Sequence, residues 1–308
     1  MTSDQLLEQT FQRASIDKQS QDNITLGIQW LNLVINDISG RYTWPWLHSR
    51  TPVTTIVDTE GTSAITVAAT LANTTVTGTG TTFASTDVNR FIQFSSSKDW
   101  YKITAVASAT SLTLETGYAL ATESGMDFII RTFSYDLPSD CHKVYDVRQF
   151  RSPKKLVWID TQMFDTLRPD QTGVGQPRAY YTYVYSNPQS VTGQQWAISF
   201  DPIPDAAQII EVRYLKRPVA LTNGTNIPEI PTMYHNVILD GLTYQAFLWA
   251  NNPNTGGMKD EYEKGIIRMK KDMPQTVDNF HVLQPCDEQG ASSGPIPFPS
   301  QYGYPYSR

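Results

Sequence analysis

The chain has 308 residues, 40% of them hydrophobic and 18% charged, with a formal net charge of −6. These are the proportions of a soluble globular chain of one to three domains, and the acidic balance argues against sequence-specific DNA binding through a broad basic surface. Two cysteines, Cys141 and Cys286, lie far apart without metal-ligand spacing and read as free thiols of a reduced compartment; the opening MTSDQLLEQTF is not basic-then-apolar, so neither a signal peptide nor a lipid anchor is expected.

In chain order, Ser3-Asp4 can cap a first helix carrying Leu6, Leu7, Phe11 and Ala14 on one side. Asp22 or Asn23 opens a second, in which Ile24, Ile28, Leu31, Ile35 and Ile38 recur at helical spacing. Leu26, Trp30, Leu33 and Val34 widen that stripe, so this helix should have more than one neighbour, and Gly40 is expected to end it. RYTWPWL follows, Arg41 to Leu47. Its rings suit either an aromatic plug at the base of the helices or a platform that stacks sugars, and the plug is the preferred reading.

From Thr51 the composition turns to Thr, Ser, Val and Ile. Short alternating runs such as RFIQFS, WYKITAV and DFIIRTF are broken by Gly, Asn and Asp, the pattern of a small antiparallel barrel or sandwich over 51–133. Thr77 to Phe83, TGTGTTF, superficially resembles a phosphate-cradling loop, but it lacks the required Lys and no long helix follows, so it reads as a turn. A second β region comprises VYDVRQF, KLVWID, AYYTYVYS, QQWAISF and IIEVRYL. Tyr180, Tyr181, Tyr183 and Tyr185 occupy both faces of one strand there, so one tyrosine row is expected at the surface. Tyr181, Tyr183 and Tyr185, with Trp100, are the candidate subunit or tail interface.

Pro231 to Asn251 reads as a helix apolar on most sides, with Asp240 its one formal charge, and therefore as the centre of the helical core. Gly241 costs about 1 kcal/mol against Ala in mid-helix, which a close helix crossing would explain. Met258, Tyr262, Ile266, Met269 and Met273 mark a last helix, ended by Pro274. Residues 284–308 are rich in Pro, Tyr and Gly and cannot make a core. Phe298, Tyr302, Tyr304 and Tyr306 are the anchors of a segment that orders on a partner.

The expected fold is α+β. A four-helix α-helical bundle core (1–50 and 228–283) carries an inserted small all-β barrel-like module (51–133), a mixed or antiparallel β region (134–227) and an extended C-terminal tail (284–308). Chemistry is not expected: His48, His142, His235 and His281 are scattered, no Cys/His cluster has zinc spacing, and no nucleophile elbow or Walker loop occurs. The chain reads as no enzyme, with no cofactor and no metal.

Five strings in order carry a resemblance that covers the chain to about Leu283: NLVINDISGRYTWPWL, TTVTGTGTTFASTDVNRFIQFSSSKDWYKITAV, YDLPSD with GQPRAYY, FDPIPDAAQIIEVRYLKRPVALT, and IPEIPTMYHNVILDGLTYQAF. The chain resembles the head-to-tail adaptors of tailed bacteriophages, of the connector or tail tubular protein A type. The resemblance implies a virion protein assembled in the host cytoplasm as a homo-oligomeric ring, typically of twelve copies. It would sit below the portal protein, seat a tail nozzle or tail tube protein, and pass double-stranded DNA without sequence-specific binding. It also implies a C-terminal segment docking in portal clefts through Phe298, Tyr302, Tyr304 and Tyr306, and the module at 51–133 is a candidate tail-fibre contact. The alternative is a host-surface or glycan-binding tail component stacking sugars on Trp44, Trp46, Trp100 or Tyr101.

Overall fold

A computed structural model describes residues 1–17, 20–151, 154–167, 173–186 and 193–273. Two helices come first, α1 (Ser3–Ala14) and α2 (Gln21–Arg41). Thr2, one residue before the expected cap, closes α1 with a capping box: its hydroxyl accepts from the Gln5 amide at 3.3 Å and Gln5 Oε1 accepts from the Thr2 amide at 3.0 Å. Strand β1 (His48–Thr54) leads to eight short strands: β2 (Thr59–Gly61), β3 (Thr66–Ala69), β4 (Thr75–Thr79), β5 (Phe91–Phe94), β6 (Trp100–Ser108), β7 (Ser111–Leu114), β8 (Glu123–Met126) and β9 (Phe128–Arg131). They form one antiparallel sheet in the order β2-β9-β5-β6-β7-β4-β3-β8. Alternate residues of β3, β5 and β7 are buried, and Val67, Ile92, Phe94, Ile103, Leu112, Leu114, Phe128 and Ile130 fill a cluster of their own.

Next come β10 (Tyr135–Asp136), β11 (Cys141–Gln149), β12 (Val157–Trp158), α3 (Thr161–Leu167), β13 (Val174–Gly175), β14 (Ala179–Ser186), β15 (Gln194–Asp201), β16 (Ile203–Pro204) and β17 (Ile209–Lys216). β1 pairs with β17 and β17 with β11, giving a three-stranded antiparallel sheet. A second sheet runs β10-β15-β14-β12. A shared cluster of Val53, Val147, Tyr180, Ile198, Phe200, Ile210, Val212 and Tyr214 includes inward residues of both. The chain then enters α4 (His235–Trp249) and α5 (Thr255–Asp272).

The expectation of a four-helix bundle core is corrected by these elements. Among the described residues the chain is mostly β-sheet, with seventeen strands and few helices. The helices contribute one of three apolar clusters. That cluster is closed by loop and strand residues, not by helices alone: Trp44, Leu47, Leu221, Ile230 and the flank of Leu215 belong to it. Hydrogen bonds fix the same loop to the helices. Asn32 Nδ2 donates to the Leu221 carbonyl at 2.9 Å and Asn32 Oδ1 accepts from the Leu221 amide at 2.8 Å. The first amides of α1 donate to Asn226 and Gly224 carbonyls at 2.9 Å, satisfying two of the donors a helix start leaves open.

α4 is nevertheless surrounded. Ile238, Leu239, Leu242 and Ala246 are at most 2% exposed. A β-carbon at Gly241 would stand 2.8 Å from both Val34 Cγ1 of α2 and Tyr262 Cε2 of α5, so this position is a close crossing of three helices. The helix does not bury every apolar residue assigned to it: Met233, which precedes it, and Leu248 and Trp249 at its end are exposed.

Where the large β-sheet joins the rest, the chain is clamped. Arg90 is buried and uses all five of its N–H groups. It donates to the Val57 carbonyl and Thr59 Oγ1 on the incoming segment, to the Ile130 carbonyl and Thr132 Oγ1 on the outgoing one, and to Asp87 Oδ1. Arg131 and Asp58 form a second, largely buried pair across the same segments, with Arg131 Nη2 2.7 Å from Asp58 Oδ2.

Candidate functional site

On β14, strand alternation separates Tyr180 from Tyr181, Tyr183 and Tyr185. Tyr180 faces the inner cluster and is buried. The other three make a ladder on the opposite face. Phe164 of α3 lies over Tyr181 at 4.4 Å between ring centroids, Tyr181 and Tyr183 are 6.2 Å apart, and Tyr183 and Tyr185 are 6.4 Å apart. Such ring pairs contribute about 0.5–1.5 kcal/mol each beyond burial. At the far end the Tyr185 hydroxyl donates to Asp136 Oδ1 of β10 at 2.9 Å.

Burial pushes the Tyr181 phenol up, and burial together with the Asp136 carboxylate raises Tyr185 to about 12. Both phenols therefore stay protonated at neutral pH. The ladder is graded: Tyr181 is covered by α3, while Tyr183 and Tyr185 are half-buried and open to a partner.

The edge of the same sheet adds apolar surface that the sequence does not advertise. Among the described residues β12 pairs only with β14, and it holds Val157 and Trp158, 52% and 57% exposed. Met163 on α3 and Val184 on β14 are exposed as well. An exposed strand edge bearing a large aromatic is a surface suited to protein contact. The only sequence signal for Trp158 is its place at the end of an alternating run, KLVWID.

Trp100 does not join this surface. It sits on β6, edge-to-face with Phe133 at 4.9 Å and with the Arg131 guanidinium 5.3 Å from its ring centre, beside the clamp. Of the rings considered for sugar stacking, Trp44 and Tyr101 are buried. Trp44 donates its indole N–H to the Ile38 carbonyl at 2.6 Å, and it stacks on Trp46 at 4.8 Å. That is the geometry of a plug. Phe298, Tyr302, Tyr304 and Tyr306 lie outside the described residues.

Among the described residues no group of three or more His, Cys, Asp or Glu side chains is placed to hold a metal ion, and no helix is long and apolar enough to cross a membrane. Cys141 is buried and its thiol is pushed up to about 12 by burial, with Asp140 adding to the effect. His48 and His235 are held below the usual imidazole range by burial.

No curated protein matches the chain. The family model for the SU10 adaptor protein matches residues 66–281, from β3 through α5 and beyond. The match takes in most of the large sheet, the tyrosine ladder, the exposed edge of β12 and both C-terminal helices, more than two thirds of the sequence. The chain belongs to the SU10 adaptor protein family, a family of phage adaptors.

Proposed function

We propose that this chain is the head-to-tail adaptor of its phage, a structural and non-catalytic protein of the virion that bridges the portal and the tail. The observation that carries the reading is the family match over residues 66–281. Copies assemble as a ring of about twelve, each subunit presenting one face to a different face of the next, with the genome passing through the lumen. The exposed apolar edge of β12 and, farther along β14, the outward Tyr183 and Tyr185 supply surface for a neighbouring subunit or a tail protein. The eight-stranded sheet of 59–131 is the part that meets a peripheral tail component, and the C-terminal segment carrying Phe298, Tyr302, Tyr304 and Tyr306 docks on the portal.

Co-sedimentation tests the reading. Full-length chain mixed with the cognate portal protein should sediment with it as one species. A chain that stays at the top of the gradient, with portal intact and in excess, would sink the proposal.

A further inference from the structure

The outer face of the β1–β17–β11 sheet carries charge of the opposite sign to the chain as a whole. Strand register places Arg50 opposite Arg213 and Pro52 opposite Glu211 on one side of β17, and Asp146 opposite Arg213 and Arg148 opposite Glu211 on the other. The alternate residues, Val53, Val147, Ile210, Val212 and Tyr214, turn inward to the apolar cluster, so these charged residues share the outer face. Lys143 lies on the same face opposite Leu215, and Lys155 reaches it at 3.7 Å from Asp146. Among the described residues five cations thus meet two carboxylates, on a chain whose net charge is −6.

The two signs lie at different depths. The side chains of Asp146 and Glu211 are 12% and 16% exposed, while those of Arg213 and Lys155 are 36% and 43% exposed. Asp146 is shared by Arg148, Arg213 and Lys155. Arg213 Nε also donates to Glu211 at 2.9 Å. The carboxylates therefore sit beneath and orient the cations, and the surplus positive charge faces outward. Arg50 and Lys143 are exposed and have no ion-pair partner among the described residues. Arg50 stands directly opposite Arg213 on the adjacent strand; Arg213 is compensated by Glu211 and Asp146, so Arg50 is the cation of that pair left without a carboxylate among the described residues.

We propose that this face contacts the phosphate backbone of double-stranded DNA. The inference rests on the adaptor reading only in taking DNA as the polyanion that passes. The layout decides between DNA and an acidic protein. Protein interfaces are depleted of charge at their centre and polar at the rim. Here the order is inverted: charge dominates the centre, around an exposed Pro52, and the larger exposed apolar residues Tyr145 and Ile209 lie at opposite ends, beside His48 and Thr54. Interfaces with nucleic acid are polar and positive throughout. A surplus of three cations per subunit gives weak, sequence-independent, salt-labile contact, which guides a duplex without arresting it.

The test is fluorescence anisotropy of a labelled random-sequence duplex of about 30 base pairs, titrated with full-length chain at several salt concentrations from about 20 mM upward. The logarithm of the binding constant should fall with the logarithm of salt at a slope of about −3. Arg50→Ser with Lys143→Ser should reduce that slope by about 2 and weaken binding at least tenfold at low salt. Lys264→Ser with Arg268→Ser, on α5, should change neither. Portal co-sedimentation of the same variants separates the two claims. An Arg50/Lys143 variant that sediments with portal as before but no longer binds duplex supports the inference. Wild-type chain that sediments with portal yet binds no duplex at about 20 mM salt overturns the inference and leaves the adaptor reading standing. Unchanged duplex binding by the variant, with or without loss of portal, also overturns it, and joint loss assigns the face to the portal contact.

Discussion

Replacing glycine by alanine at two helical positions should move stability in opposite directions. At both sites the change gains up to about 1 kcal/mol of helix propensity. At Gly241 the new methyl group meets Val34 Cγ1 and Tyr262 Cε2 at 2.8 Å and Tyr262 Cδ2 at 3.0 Å, inside van der Waals contact. The tyrosine cannot retreat freely, because it is 4% exposed and its hydroxyl donates to Asp37 Oδ2 at 2.7 Å. Overpacking of this kind costs about 1–3 kcal/mol. Gly241→Ala should therefore lose up to about 2 kcal/mol net. At Gly257, in the first turn of α5, nothing lies within 4 Å of the added atom, so Gly257→Ala should gain a few tenths to about 1 kcal/mol. Thermal melts followed at 222 nm, with urea titrations alongside, measure both. For a chain of this size each kcal/mol is worth about 2–4 °C. If Gly241→Ala melts at or above the parent temperature, the three-helix crossing at α4 is not as close as described.

Three further outcomes are expected. Removing residues 57–132 with a short linker, which leaves β1 whole, should leave the helices folded and portal binding intact, because the Arg90 and Asp58–Arg131 clamp closes on segments that leave together; loss of all helical signal would show that the large sheet is needed by the rest. Truncation after Leu283, or changing Tyr302, Tyr304 and Tyr306 together to Ser, should give a soluble chain that no longer sediments with portal, since aromatic anchors carry most of an interface's energy; unchanged binding would move the contact elsewhere, first to the Trp158 edge. Cys141, its thiol raised to about 12, should resist iodoacetamide at about pH 8 until the chain is unfolded in urea; rapid alkylation of Cys141 in the native state would contradict its burial.

The helical stripes in the sequence were largely faithful to burial, Leu33 and Leu248 being exposed exceptions, and silent about what does the burying. Leu6, Leu7, Phe11, Leu31, Ile35, Ile38, Tyr262, Ile266 and Met269 are all inside, and Gly241 marks a real crossing. Yet periodicity states only that a face is covered. Here Leu221, Ile230 and Leu47 complete the cover, which is why a four-helix bundle was the wrong inference from correct stripes. Strand alternation likewise sorted Tyr180 from Tyr181, Tyr183 and Tyr185. It could not show that Phe164, on a helix of seven residues, would cap one end of the row. The indole of Trp44 suited a core plug better than a sugar platform, and its burial and its bond to the Ile38 carbonyl decide for the plug. The basic face was illegible for a different reason. It joins Arg50 to Arg213 across a register that no local pattern encodes.

The central claim is that copies of this chain form a ring on the portal. Electron micrographs of full-length chain assembled with portal, viewed along the particle axis, test it most directly. The expected result is an added ring with rotational symmetry matching the portal, which for twelve copies of a 34.6 kDa chain means about 415 kDa of extra mass. Portal particles without added density, beside adaptor chains that remain monomers or trimers, would contradict it.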